Sequence, residues 1–93
     1  MLYYVHCSID PALLTLVDTC RLDHLAYVDR HREHLVYGGV LISDAGVLES
    51  ICYFLESNTK DDAAAFADQD PYRKMYSHVE VRPFEQRIPS LTE

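Results

Sequence analysis

Apolar and polar positions change period along the chain, and the changes mark the elements. From Leu2 to Cys7 the residues are aromatic or β-branched, which suits a half-buried strand. Ser8-Ile9-Asp10-Pro11 ends it, and Asp10 before Pro11 is placed to cap a helix. A long helical stretch follows, broadly residues 11 to 37, with a possible break near Asp18-Thr19-Cys20. In its second half Leu22, Leu25, Val28 and Leu35 fall near one face at helical spacing. Gly38-Gly39 is the expected stop.

Val40 to Ser43 reads as a second strand, Asp44-Ala45-Gly46 as a turn, and Val47 to Leu55 as a third strand. So short a turn makes the pair an antiparallel hairpin. Along the third strand Val47, Glu49, Ile51, Tyr53 and Leu55 share one side, and Leu48, Ser50, Cys52 and Phe54 the other. Ser57-Asn58-Thr59 opens a second helix, with Asp62 three residues after Thr59 in a near capping box. The helix runs through Ala63 to Ala67 and ends by Asp70-Pro71, because the residue before proline avoids the α region. His78 to Ile88 alternates as a last strand, and Pro89 to Glu93 is a strand extension or a frayed end.

The order is strand, helix, strand, strand, helix, strand. That is the split βαβ of ferredoxin-like α+β domains, a four-stranded antiparallel sheet with its helices on one face. Val5, Val79, Val81, Tyr53 and Cys52 argue that the second sheet face is not wholly polar. Packing against a second copy through that face would hide it. At 93 residues the whole chain is expected to form a single domain with a thin stability margin.

Charge and cysteine content narrow the function classes. A net charge of −7, from 15 acids and 8 bases, opposes nucleic acid and anionic membrane as partners. No apolar run is long enough to span a membrane, and the N-terminus lacks the pattern of a signal peptide. Cys7, Cys20 and Cys52 are odd in number and have no CxxC spacing, which fits reduced thiols in a cytoplasmic protein.

Two segments carry a family resemblance. Arg21-Leu22-Asp23-His24-Leu25-Ala26-Tyr27-Val28 holds a histidine-leucine pair early in the first helix. Ala63-Ala64-Ala65-Phe66-Ala67-Asp68-Gln69-Asp70-Pro71-Tyr72 is followed by Val79-Glu80-Val81-Arg82-Pro83-Phe84. An alanine-rich helix, Asp-Pro-Tyr and a closing V-x-V-x-P-F strand at this spacing resemble the YCII-related family. The resemblance implies a dimeric α/β barrel and a pocket between sheet and helix that holds a His–Asp pair, His24 and Asp70 here. One subgroup of that family resembles a dehydrochlorinase of chlorinated hydroxyquinols, and related barrels include muconolactone isomerases. The turn Ser43-Asp44-Ala45-Gly46 replaces the Gly-Pro pair usual in the family, which implies a different pocket rim.

A His–Asp pair suits proton transfer, because the carboxylate fixes the imidazole tautomer and stabilises the imidazolium. His24 and Asp70 are therefore the candidate catalytic residues, with no cofactor expected. Ser43 at the end of a strand, Tyr72 as a phenol donor and Arg82 as an anion holder are candidate substrate contacts. A metal is not expected. His24 and His31 lie about 10.5 Å apart along a helix, and His31 and His34 flank a solvated-looking Arg32-Glu33. Cys7 and Cys52 sit in apolar strands, where a thiol is inert. The leading expectation is a small lyase or isomerase acting on a cyclic or enolisable molecule. The alternatives are a ligand-binding or regulatory dimer without turnover, and a purely structural partner.

Overall fold

The structure, a computed structural model, describes residues 1–89. Four strands, β1 (Leu2–Ile9), β2 (Leu35–Ile42), β3 (Leu48–Glu56) and β4 (Tyr76–Pro83), form one sheet in the order β2-β3-β1-β4. Every neighbouring pair is antiparallel. Two helices, α1 (Leu16–Arg30) and α2 (Lys60–Asp68), fill the crossovers. This is the ferredoxin-like α+β arrangement that the element order predicts.

The covered face is built mainly by β1, which alternates strictly, and by β3. Tyr3, Val5, Cys7 and Ile9 of β1 are buried, as are Ile51, Tyr53 and Leu55 of β3. Val5 pairs with Tyr53 on one side and Val81 on the other, so these residues share the covered face. Cys20, His24 and Tyr27 of α1 and Ala63, Phe66 and Ala67 of α2 close over them. Burying a side chain the size of Val5 or Leu55 contributes about 2 kcal/mol, so this layer is the main source of stability.

The long helix over 11–37 is corrected. Pro11–Leu13 is a single 3₁₀ turn, and Asp10 caps that turn, accepting from the Ala12 N–H at 2.9 Å. The helix proper stops at Arg30, a second 3₁₀ turn covers Arg32–His34, and Leu35 already begins β2. The run Leu35 to Ile42 is free of charge and rich in β-branched residues, and tertiary pairing with β3 turns it into a strand. Gly38 and Gly39 therefore sit inside β2 and stop nothing. Gly38 lies where a Cβ would come within 3.2 Å of the Tyr53 ring, so its bare backbone makes room for that ring. Gly46 alone needs the left-handed region, with φ of 83° in the β2–β3 turn.

The apolar face expected of α1 is corrected too. Leu22 is 80% exposed and Leu25 54%, while the inward positions carry Cys20, His24 and Tyr27. The last strand is shorter than 78–88 and runs Tyr76–Pro83. Residues 90–93 of the expected tail lie outside the described residues.

The helix-free sheet face differs in membership from the sequence reading. Val5, Tyr53, Val79 and Val81 all belong to the covered face or its margin. The open face carries Tyr4, His6, Cys52 and Phe54, with Glu80 and Arg82 beside them on β4. Phe84 packs edge-on against Phe54, with ring centroids 4.8 Å apart. Among the described residues no helix is long and apolar enough to cross a membrane.

Candidate functional site

Asp70 is fixed by the end of α2. Thr59 caps that helix by accepting from the Asp62 N–H at 3.1 Å. Gln69 ends it, and Pro71 prevents its continuation. The carboxylate of Asp70 turns inward, its side chain wholly buried. Its Oδ1 accepts from the Tyr72 N–H at 2.9 Å, and its Oδ2 from the Tyr76 hydroxyl at 2.6 Å.

The third partner comes from α1. His24 Nδ1 meets Asp70 Oδ1 at 2.8 Å, across 46 residues of sequence. A carboxylate accepts, so Nδ1 carries a hydrogen and Nε2 of the neutral ring keeps its lone pair. The Tyr53 hydroxyl approaches Nε2 at 3.3 Å and donates to it. The Tyr72 ring stacks flat on the imidazole, centroids 3.9 Å apart and 8° from parallel. His24 is thus held on both nitrogens and on one face, as a proton carrier requires.

Burial and the Asp70 charge set the surroundings. Both push the Tyr53 phenol well above its ordinary pKa, desolvation contributing most. Tyr76 moves the same way, again chiefly by desolvation. Tyr72 rises by burial, opposed by the nearby Arg21 guanidinium. All three phenols therefore stay protonated and act as donors across the neutral range.

His24 opens onto a hollow of about 660 Å³ between α1 and the β2 side of the sheet. Its walls are apolar (Val17, Leu25, Val28, Val40, Ile42, Ile51), and Tyr53, Tyr72 and His24 make its polar floor. Among the described residues Arg21 is the one lysine or arginine in the lining. It precedes His24 by three residues, so both project from one helix face. The concave, largely apolar shape with a few convergent polar groups is that of a small-molecule site.

Of the residues named from sequence, His24, Asp70 and Tyr72 come together here. Ser43 and Arg82 do not. Ser43 belongs to the β2–β3 turn, where its hydroxyl accepts from the Val47 N–H at 3.1 Å. Arg82 is exposed on β4, 3.6 Å from Glu80, on the margin of the open sheet face. The sequence reading missed Tyr53, Tyr76 and Arg21. The spacing of Arg21 to His24 was a usable signal. Tyr53 and Tyr76 gave none, since a tyrosine in an alternating strand reads as core.

Among the described residues no group of three or more His, Cys, Asp or Glu is placed to hold a metal ion. His31 Nδ1 instead donates to the Tyr27 carbonyl at 2.8 Å, and His34 faces Glu33 at 3.6 Å. The three cysteines are free thiols. Burial pushes the Cys7 thiol up to about 12, which keeps it protonated and unreactive.

Comparison with known proteins places the fold among ferredoxin-like α+β domains. No family model matches the chain, and no curated protein does. The chain is similar in structure to 5-chloro-2-hydroxyhydroquinone dehydrochlorinase (TftG) from Burkholderia phenoliruptrix AC1100, solved in complex with 2,5-dihydroxybenzoquinone. That superposition has a TM-score of 0.82 at 19% identity and covers 92% of this chain and 95% of the other. A NIPSNAP family protein from Agrobacterium tumefaciens C58 aligns with TM-score 0.55 at 14% identity, over 99% of this chain and 97% of its own. A Nitrosomonas europaea protein named for antibiotic biosynthesis monooxygenases gives TM-score 0.53 at 11% identity, over 96% and 91%. At such identities the likeness establishes the shared fold.

Proposed function

We propose that this chain is a small YCII-like enzyme of lyase or isomerase type that works by acid/base catalysis without a cofactor. His24 is the base and acid, Asp70 orients it, and the substrate is a small cyclic molecule with an ionisable hydroxyl or enolisable carbonyl. The observation that carries this reading is the 2.8 Å contact of Nδ1 with a buried carboxylate, which leaves Nε2 as the acceptor at the floor of an open hollow.

The chemistry follows from that geometry. Nε2 takes a proton from a ring hydroxyl, and the O–H electron pair becomes an enolate. Asp70 stabilises the resulting imidazolium, and Arg21 stands at the wall to meet the enolate oxygen. The imidazolium then returns the proton to a ring carbon. Returned with no leaving group lost, it gives an isomer. Where the carbon carries chlorine, Nε2 then takes the proton of a second ring hydroxyl, the freed pair forms a carbonyl, and chloride departs with its bonding pair, so that one proton and one chloride are lost and a quinone remains. Tyr53 must yield its place on Nε2 to the substrate hydroxyl or pass the proton through its own.

The substrate-contact role falls to Tyr72 and Arg21. The open sheet face would pack on a second copy, burying Tyr4, Cys52, Phe54 and Phe84. A second reading has its own support: Nε2 is already hydrogen-bonded to Tyr53 at 3.3 Å, which suits a ligand-binding dimer with no turnover.

Chloride release from 5-chloro-2-hydroxyhydroquinone separates the two. The enzyme reading expects saturable release that falls at least about 100-fold in His24→Ala, the lower end of what a positioned acid/base supplies. Saturable binding of the compound with neither chloride released nor an isomer formed would favour the second reading and sink the first.

A further inference from the structure

We propose a second small-molecule site at the other end of α1, specific for a one-ring organic cation such as an amidinium or an aminoheterocycle. It lies in a hollow of about 370 Å³ between the end of α1, the end of β3 and α2, and shares no residue with the His24 hollow. That volume is at the small end of ligand pockets, enough for a single ring with one substituent.

The walls select for aromatic character. Tyr27 and Phe66 form an aromatic corner, ring centroids 5.2 Å apart. His31 leans on both, 4.4 Å from Tyr27 and 5.6 Å from Phe66. Tyr27 is itself immobilised, its hydroxyl donating to the Phe66 carbonyl at 2.7 Å. A flat ring entering here meets faces and edges that are already fixed, which lowers the ordering cost of binding.

The polar groups select for a donor. His31 Nδ1 donates to the Tyr27 carbonyl at 2.8 Å, so Nε2 of the neutral ring is an acceptor. Asp62 lines the same hollow, and its backbone N–H, not its carboxylate, serves the Thr59 cap. Glu56 lines it as well, and its Oε1 accepts from the Met1 amino group at 2.7 Å. Among the described residues no lysine or arginine is in the lining. Arg30 sits over the Tyr27 ring at 5.8 Å, outside it. Two carboxylates, Asp62 and Glu56, and two imidazoles, His31 and His34, line the hollow beside aromatic walls, and in a chain of net charge −7 they favour a flat cation whose N–H groups point at Asp62 and His31.

Benzamidine is the probe, titrated into the ¹⁵N-labelled full chain, with neutral benzamide of the same shape as control. The expected result is saturable shifts at the amides of Asn58, Asp62, Phe66 and Gln69, and none with benzamide. Asp62→Asn should weaken binding about tenfold, which is 1.4 kcal/mol. Asp61→Asn, one residue away and outside the lining, should leave it unchanged and so controls for helix stability and overall charge. His24→Ala should also leave it unchanged, so failure here is distinct from failure of the acid/base reading. Equal binding of benzamide, equal loss in both aspartate variants, shifts centred on His24, or no saturation at millimolar probe would each overturn the proposal.

Discussion

At the residue scale the site is organised by a carboxylate that satisfies three donors at once. Asp70 accepts from His24 Nδ1, the Tyr72 N–H and the Tyr76 hydroxyl. Asp70→Ala would leave a buried phenol and an imidazole N–H unpaired, and should cost about 3 kcal/mol, read as a lowered urea midpoint. His24→Ala is milder, since Asp70 keeps two donors, and about 2 kcal/mol is expected. That exceeds the roughly 1 kcal/mol of a typical single substitution, because the pair is buried. His24 and Asp70 were legible in sequence because a motif carried them. Tyr53 was not, since nothing local distinguishes a phenol that reaches a histidine from one that fills space.

Titration of buried groups sets a residue-scale pH dependence. Burial raises Cys7 from 9.0 to about 12 and Tyr27 from 10.0 to about 12. Above pH 9 the unfolded chain loses these protons while the folded chain keeps them. Stability from this source is therefore whole below about pH 9 and falls as pH rises toward 12. Thermal melts from pH 7.5 to 11 should show a progressive loss on the alkaline side, shallower in Cys7→Ala. A flat profile above pH 9 would contradict the burial assigned to these groups.

At the element scale α1 and β2 were the hardest to read, for one physical reason. The leucines of α1 do not mark its buried face. Leu22 is 80% exposed, and the inward stripe contains a thiol, an imidazole and a phenol. A hydrophobic period that counts leucines points the helix the wrong way. Leu22→Ala should change stability by less than about 0.5 kcal/mol, whereas Tyr27→Ala, buried and hydrogen-bonded, should cost about 3 kcal/mol. Paired urea melts of the two variants check the orientation of the helix. The hairpin was easier, because short turns leave few choices. Gly46→Ala forces a side chain into the left-handed region and should cost about 1 kcal/mol by the same measurement.

At the scale of the whole molecule, fold class was legible from element order alone. Even with the first helix set five residues too long at its start and seven at its end, the order of strands and helices matches the split βαβ arrangement. What the order did not reveal is which residues face outward from the sheet. Alternation defines two faces but does not say which one the helices cover. The proposed dimer follows from the half-buried aromatics left on the open face, Tyr4 and Phe54 with Phe84 against them. Sedimentation should give twice the mass of one chain, and Phe54→Glu should give a folded monomer, because it sets like charges into a facing apolar surface. A wild-type monomer at micromolar concentration would rule that assembly out.

The proposed chemistry turns on which imidazole nitrogen of His24 holds the proton. Imidazole ¹⁵N spectra of His24, before and after addition of 2,5-dihydroxybenzoquinone, test it most directly. The 2.8 Å contact with Asp70 predicts a hydrogen on Nδ1, with a large shift of Nε2 on binding and little change at Nδ1. A ring protonated on Nε2 instead, or an Nε2 signal that stays in place while the compound binds, would contradict it.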